Sequence, residues 1–484
     1  MRVTTMDRYL PPPGRLVEFA PTEATATRAR TASGERGDLS PVPPSFNQRF
    51  HLATADRDPG GPRHWLGCSF ELAGAVDERA LTAAFTYWVR RHEALRSGFR
   101  AADGGEVWRL LVPAEQYELT TVDHGEFGSS LALRARLAER LADRCHPLGC
   151  PPYLLTAVVR PGSATVFCGF DHTTADGYSL ALVVSELPAL YEEFAAGGTP
   201  RGLPDVGSFV DYCAQEQATL AGPPPGPDHP LVRGWGAYFA ACAGTTPAFP
   251  LALGLAPGER AAQGTDVRQV LDGPAADAFE TRCGAAGGSA FTGALTAFAL
   301  AARRLGAGDV LRMCTPLHTR YEARWRHAMG WFTTVAPLTV EVRGVPDAVA
   351  GAARTRAAFA SGRALAELPI AQVLPALGDA FRRGRDDVFM VSFIDYRRFP
   401  GADRHTELRA QHISSVTTAD DAQFWLSRTQ DGLFLRSRFP ATTTARSVVL
   451  GFVAELAAVL RESLPAAGWP RVRPCGRPCG CPGG

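Results

Sequence analysis

Residues 169–180 read GFDHTTADGYSL, and the period of the chain changes inside them. Before them, SATVFCGFDH alternates, so Ala164, Val166, Cys168, Phe170 and His172 share one face of an extended strand. After Gly177, the apolar residues Leu180, Val183, Val184, Leu187, Leu190, Tyr191 and Phe194 return at helical spacing. Pro188 falls within that run and predicts a kink. The pattern is therefore strand, tight turn, helix, with a histidine at the strand end.

A histidine there projects from a rigid edge. An imidazole with an ordinary pKa of about 6.5 suits the removal of a proton from an attacking alcohol or amine. Asp176 has three possible roles: cap of the following helix, orienter of the imidazole, or partner of a distant cation. Gly177 allows close backbone approach, and its N–H lies at a helix start where an oxyanion is favoured. A histidine on an apolar strand face is also the ordinary place for a hydrogen-bonded core residue. Spacing alone leaves both readings open.

The rest of the chain narrows the class. Its 484 residues exceed one ordinary core, and its net charge of +1 gives no reason to expect nucleic acid or an anionic membrane as partner. The amino terminus lacks the apolar stretch of a secretory signal, and no apolar run reads as a transmembrane segment, so a cytoplasmic protein is expected. The eleven cysteines are scattered and mostly sit in apolar segments, which suits buried reduced thiols. Cys475, Cys479 and Cys481 lie in a Gly- and Pro-rich tail without a neighbouring histidine, so no metal site is expected.

Residues 20–40 are polar and aperiodic, and AGPPPGPDHP at 221–230 interrupts any helix or central strand. The expected division is a flexible segment at 1–44, a first lobe at 45–220, a linker at 221–232, a second lobe at 233–468 and a disordered tail at 469–484. Both halves alternate strands and helices, which implies two α/β units. Neither a G-x-S-x-G elbow, a phosphate-binding G-x-x-x-x-G-K-[ST] loop nor an H-E-x-x-H helix occurs.

Several separated stretches resemble one superfamily. DHTTADG resembles the H-H-x-x-x-D-G motif of condensation domains and CoA-dependent acyltransferases. RHEALRSGF (91–99), MGWFTTVAPLTV (329–340) and VSFIDYR (391–397) are similar to its further motifs, in the same order, so the resemblance spans about 45–465. Within it, PPPGRLVEFAPT, VPPSFNQ, GSFVDYC and FPLALG resemble the polyketide-associated (Pap) acyltransferases.

That resemblance implies two chloramphenicol-acetyltransferase-like lobes in a V-shaped pseudo-dimer with a central tunnel. It implies an O-acyltransferase that takes an acyl group from the phosphopantetheine thioester of CoA or of an acyl carrier protein. The acceptor would be a small-molecule or glycolipid alcohol, and no bound cofactor is implied. His172 would be the general base and Gly177 the glycine facing the donor. Asp176 would be structural, paired with Arg320 of the second half. Asp171, where the family usually has histidine, faces away from the base and would satisfy donors behind the site. Trp331, Phe332 and His318 are candidate tunnel-lining residues. An amide-forming condensation enzyme and a non-catalytic carrier-docking scaffold are the alternatives.

Overall fold

The structure is a computed structural model that describes residues 1–31, 39–57, 61, 63–101 and 107–464. The expected tail with Cys475, Cys479 and Cys481 lies outside the described residues. A seven-stranded sheet organises the amino-terminal half. Its order is Arg2–Thr5, Gln411–Ser414, Trp65–Ala73, Ser163–Asp171, Tyr153–Arg160, Gly14–Pro21 and Leu119–Phe127. A five-stranded sheet organises the other half, in the order Val391–Asp395, Gln423–Thr429, Gly432–Pro440, Ala261–Asp272 and Thr418–Ala419. The hairpin Val310–His318 with Thr333–Glu341 joins it through a parallel bridge between Cys314 and Met390.

The strand Ser163–Asp171 is central in its sheet, between Trp65–Ala73 and Tyr153–Arg160. Burial on both faces explains why its alternation carries so few polar residues. One face packs under the helices Glu78–Arg91 and Gly177–Ala195, through Val166, Cys168, Phe170, Leu81, Phe85, Trp88, Leu180 and Val184. Asp77 caps the first of these helices by accepting from the N–H groups of Arg79 and Ala80. The second runs through Pro188 as one element. A separate core fills the other half, where Phe298, Phe424, Phe452 and Leu456 interlock.

Two expectations are corrected. The segment 1–44 is not uniformly flexible: Arg2–Thr5 and Gly14–Pro21 are sheet strands, and Glu23–Thr31 is a helix. Gly14–Pro21 alternates only weakly because both its faces are covered, with Leu16, Val17 and Phe19 all buried. Nor do the halves separate cleanly at 221–232. The strand Gln411–Ser414 leaves the second half and inserts between Arg2–Thr5 and Trp65–Ala73. The helix Thr443–Glu462 is long and apolar enough to cross a membrane, but its apolar residues Val449, Phe452, Val453, Leu456 and Leu460 belong to the second core. All eight described cysteines are free, and six are buried.

Candidate active site

The strand Ser163–Asp171 ends in a turn held from several sides. Asp171 is fully buried and accepts from the N–H and hydroxyl of Thr173 at 2.9 and 2.7 Å. The hydroxyl of Thr174 donates to the Asp171 carbonyl at 3.0 Å, and Gln48 donates to the Thr173 carbonyl at 2.7 Å. His51, on the helix Phe46–Arg57, places Nε2 3.2 Å from the Asp171 carboxylate. Burial pushes that carboxyl upward, but His51 and the Thr173 donors outweigh it and hold it below the usual range. Asp171 therefore works behind the site, where the strand register points it.

His172 faces the other way and is half-buried. Its ring stacks on the indole of Trp331 with centroids 3.7 Å apart and planes 23° from parallel. His51 lies 6.5 Å from the His172 ring and 6.0 Å from the indole. The Nδ1 atom of His172 is enclosed, with no partner beyond its own backbone carbonyl. Nε2 is left as the nitrogen for an incoming proton. Burial first, then the charge of His51, push the imidazole down to about 4. At neutral pH the ring is thus uncharged and ready to accept.

Asp176 builds the frame that brings Trp331 there. Its side chain caps the helix Gly177–Ala195 through the Ser179 N–H at 2.8 Å. The same carboxylate accepts from Arg320 Nη2 at 3.0 and 3.2 Å and from the Phe332 N–H at 3.1 Å. Arg320 Nη1 in turn donates to the carbonyls of Trp325 and Ala328, and its guanidinium lies over the rings of Tyr178 and Phe332. Gly330, at φ 154°, accepts from the Ser179 hydroxyl at 3.0 Å; a Cβ there would sit 2.4 Å from Phe209. This arrangement is a buried ion pair fastening the segment 320–332 to the motif helix.

Gly177 opens that helix against Ile394 and His412. An added Cβ would lie 3.0 Å from Ile394 Cδ1 and 4.0 Å from His412 Cε1. His412 is buried on the inserted strand Gln411–Ser414, with Nδ1 2.6 Å from the Tyr396 hydroxyl. Burial, then the charges of Arg436 and His172, hold its imidazole well below its usual value. Neither His51 nor His412 stands out in the sequence. His51 falls in a helix of weak amphipathic pattern, and His412 reaches the site only because its strand crosses between the sheets.

The two other candidate lining residues differ in setting. Phe332 is wholly buried in the amino-terminal core and stacks under Arg320, because its N–H is fixed to Asp176. His318 is exposed at the end of its strand, 6.2 Å from the ring of Tyr321, itself 70% exposed. Of the three, Trp331 alone touches the His172 ring.

Comparison with known proteins fits this geometry. The condensation-domain family model matches residues 43–423. The chain is 30% identical over 391 residues to the 2'-acyl-2-O-sulfo-trehalose (hydroxy)phthioceranyltransferase PapA1 of Mycobacterium tuberculosis, covering 80% of this chain and 73% of that protein. It is 26% identical over 465 residues to the trehalose-2-sulfate acyltransferase PapA2 of the same species, covering 94% of this chain and 96% of that one. The solved structure of a PapA2 acyl transferase superposes with a TM-score of 0.87 at 24% identity, over 96% of this chain and 99% of that one. The chain belongs to the condensation-domain family and is an acyltransferase similar to the Pap proteins.

Proposed function

We propose that the protein esterifies an alcohol with an acyl group delivered as a phosphopantetheine thioester, and that His172 is the general base. The alcohol oxygen attacks the thioester carbonyl carbon while Nε2 of His172 takes the hydroxyl proton. The tetrahedral intermediate collapses, the C–S bond breaks, and the proton passes from His172 to the leaving thiolate. Asp176 takes the Ser179 N–H, and the N–H groups of Gly177 and Tyr178, which have no intrahelical acceptor at the helix start, are suited to the transient oxyanion. The observation that carries this reading is the His172 ring stacked on Trp331 with Nδ1 enclosed. Sulfated trehalose, named for PapA1 and PapA2, supports a glycolipid alcohol as acceptor.

Thiol release from acyl-CoA in the presence of a trehalose acceptor, with mass analysis of the product, tests the reading. General base catalysis contributes about two to four orders of magnitude in rate. H172A is expected to lose turnover in that range while keeping its melting temperature. Wild-type turnover by H172A would remove His172 from the mechanism. An amide formed from a matched amine in preference to the ester would reassign the acceptor.

A further inference from the structure

Five arginines are buried among the described residues: Arg96, Arg109, Arg320, Arg428 and Arg436. Four of them donate hydrogen bonds: Arg96 to the Val112 carbonyl, Arg109 to Gln48, Arg320 to Asp176, and Arg428 to Asp277. Arg436 is the exception. It is 6% exposed, and its Nε and Nη1 are buried without a partner. Its guanidinium rests 4.2 Å over the ring of Trp425, directly across the strand pair. Burial, with Arg438 adding, pushes it down to about 10, so it remains a cation at neutral pH. A buried charge without a counter-charge is unfavourable to the fold.

Position tells what the charge faces. Along Gly432–Pro440, Leu433, Leu435 and Phe439 point into the second core, so Arg436 and Arg438 occupy the opposite face. That face meets the amino-terminal sheet: Thr265, opposite Arg438, lies 3.5 Å from Thr5, and Arg8 donates to the Thr265 carbonyl. Arg438 is occupied by Asp387 at 2.7 Å. Arg436 bears on His412 and Tyr396, and His412 also feels His172 and lies beside Gly177. The strand Arg2–Thr5, which pairs with Gln411–Ser414, also packs against Gly432–Pro440, and Arg436 and the candidate base both act on His412.

We propose that Arg436 is an anion-recognition residue of the transfer site: its free guanidinium binds an oxyanion, sulfate, phosphate or carboxylate, carried by one of the two substrates. This rests on the acyl-transfer reading and adds the charge of a substrate to it. Bidentate pairing suits a planar guanidinium, and the Trp425 ring holds its plane. Binding of trehalose 2-sulfate, trehalose, sodium sulfate at constant ionic strength and acetyl-CoA to the full-length H172A protein, with and without R436M or R436K, tests it without turnover. R436M is expected to weaken trehalose 2-sulfate binding at least tenfold and leave trehalose unchanged; R436K is expected to lose less. A loss confined to acetyl-CoA assigns the oxyanion to the donor. Equal binding of every anion with and without Arg436, or no binding of any anion to the arginine-bearing protein, overturns the proposal. If R436M fails to fold, R436K carries the same comparison, because it keeps the charge and loses the fork. Full turnover by H172A would instead strike the acyl-transfer reading and leave these binding results standing.

Discussion

Arg320 and Arg436 are both buried arginines of the carboxy-terminal half, and the two regions around them differ in kind. Arg320 is met by a carboxylate, three carbonyls, a hydroxyl and two rings, and only its Nε lacks a partner. Arg436 has one ring, and its Nε and Nη1 have no hydrogen-bond partner among the described residues. A buried cation with its counter-charge in place holds parts of a protein together. One kept without a counter-charge is a cost to the fold that a ligand can offset.

The largest effect that can break this contrast comes from the Asp176–Arg320 pair. Removing one member leaves the other charge buried, so R320M or D176A is expected to lose about 3–5 kcal/mol by urea unfolding. A loss under about 1 kcal/mol would mean that the pair does not fasten the segment 320–332.

The pH dependence of stability comes next. His64 is held down to about 3 and His172 to about 4, both first by burial, and His412 lies well below its usual value. In the unfolded chain these rings take up protons near pH 6.5. The stability that these neutral rings contribute is therefore fully present above that pH and is lost as pH falls from about 6.5 toward their folded values. Each ring contributes at most about 1.4 kcal/mol per pH unit. Urea midpoints between pH 7 and pH 5 check this, and H412Q is expected to flatten the slope. An unchanged slope would mean that the ring is not buried neutral.

Smaller still is the effect of W331A. Stacked rings contribute about 0.5–1.5 kcal/mol beyond area, so turnover is expected to fall about tenfold with little change in melting temperature. The smallest effect on stability is that of R436M, expected within about 1 kcal/mol of wild type or slightly stabilising, since a desolvated unpaired charge is removed. A loss as large as that of R320M would erase the distinction between the two arginines.

Much of the motif half is legible in the sequence, because its local patterns agree with the tertiary structure. The alternation through Phe170, the Asp77 cap and the helix after Gly177 each follow from residues within one element. His51, His412 and Arg436 do not. Their roles come from contacts spanning 120 residues for His51–Asp171 and from a strand that changes sheets. Phe332 is a tunnel-lining candidate through the resemblance while strand spacing suits plain core equally, and it sits in the core with its N–H on Asp176. Gly14–Pro21 carries too little alternation to be separated from the polar, aperiodic run that follows it.

The central claim is that His172 acts as a neutral base. The acid limb of kcat/KM for thioester turnover, read from initial rates with near-UV circular dichroism to verify the fold at each pH, tests it most directly. Activity is expected to persist as pH falls through 6.5 and to reach half its value near 4, where the ring takes up its proton. A half-value at or above 6.5 with the fold intact would contradict it.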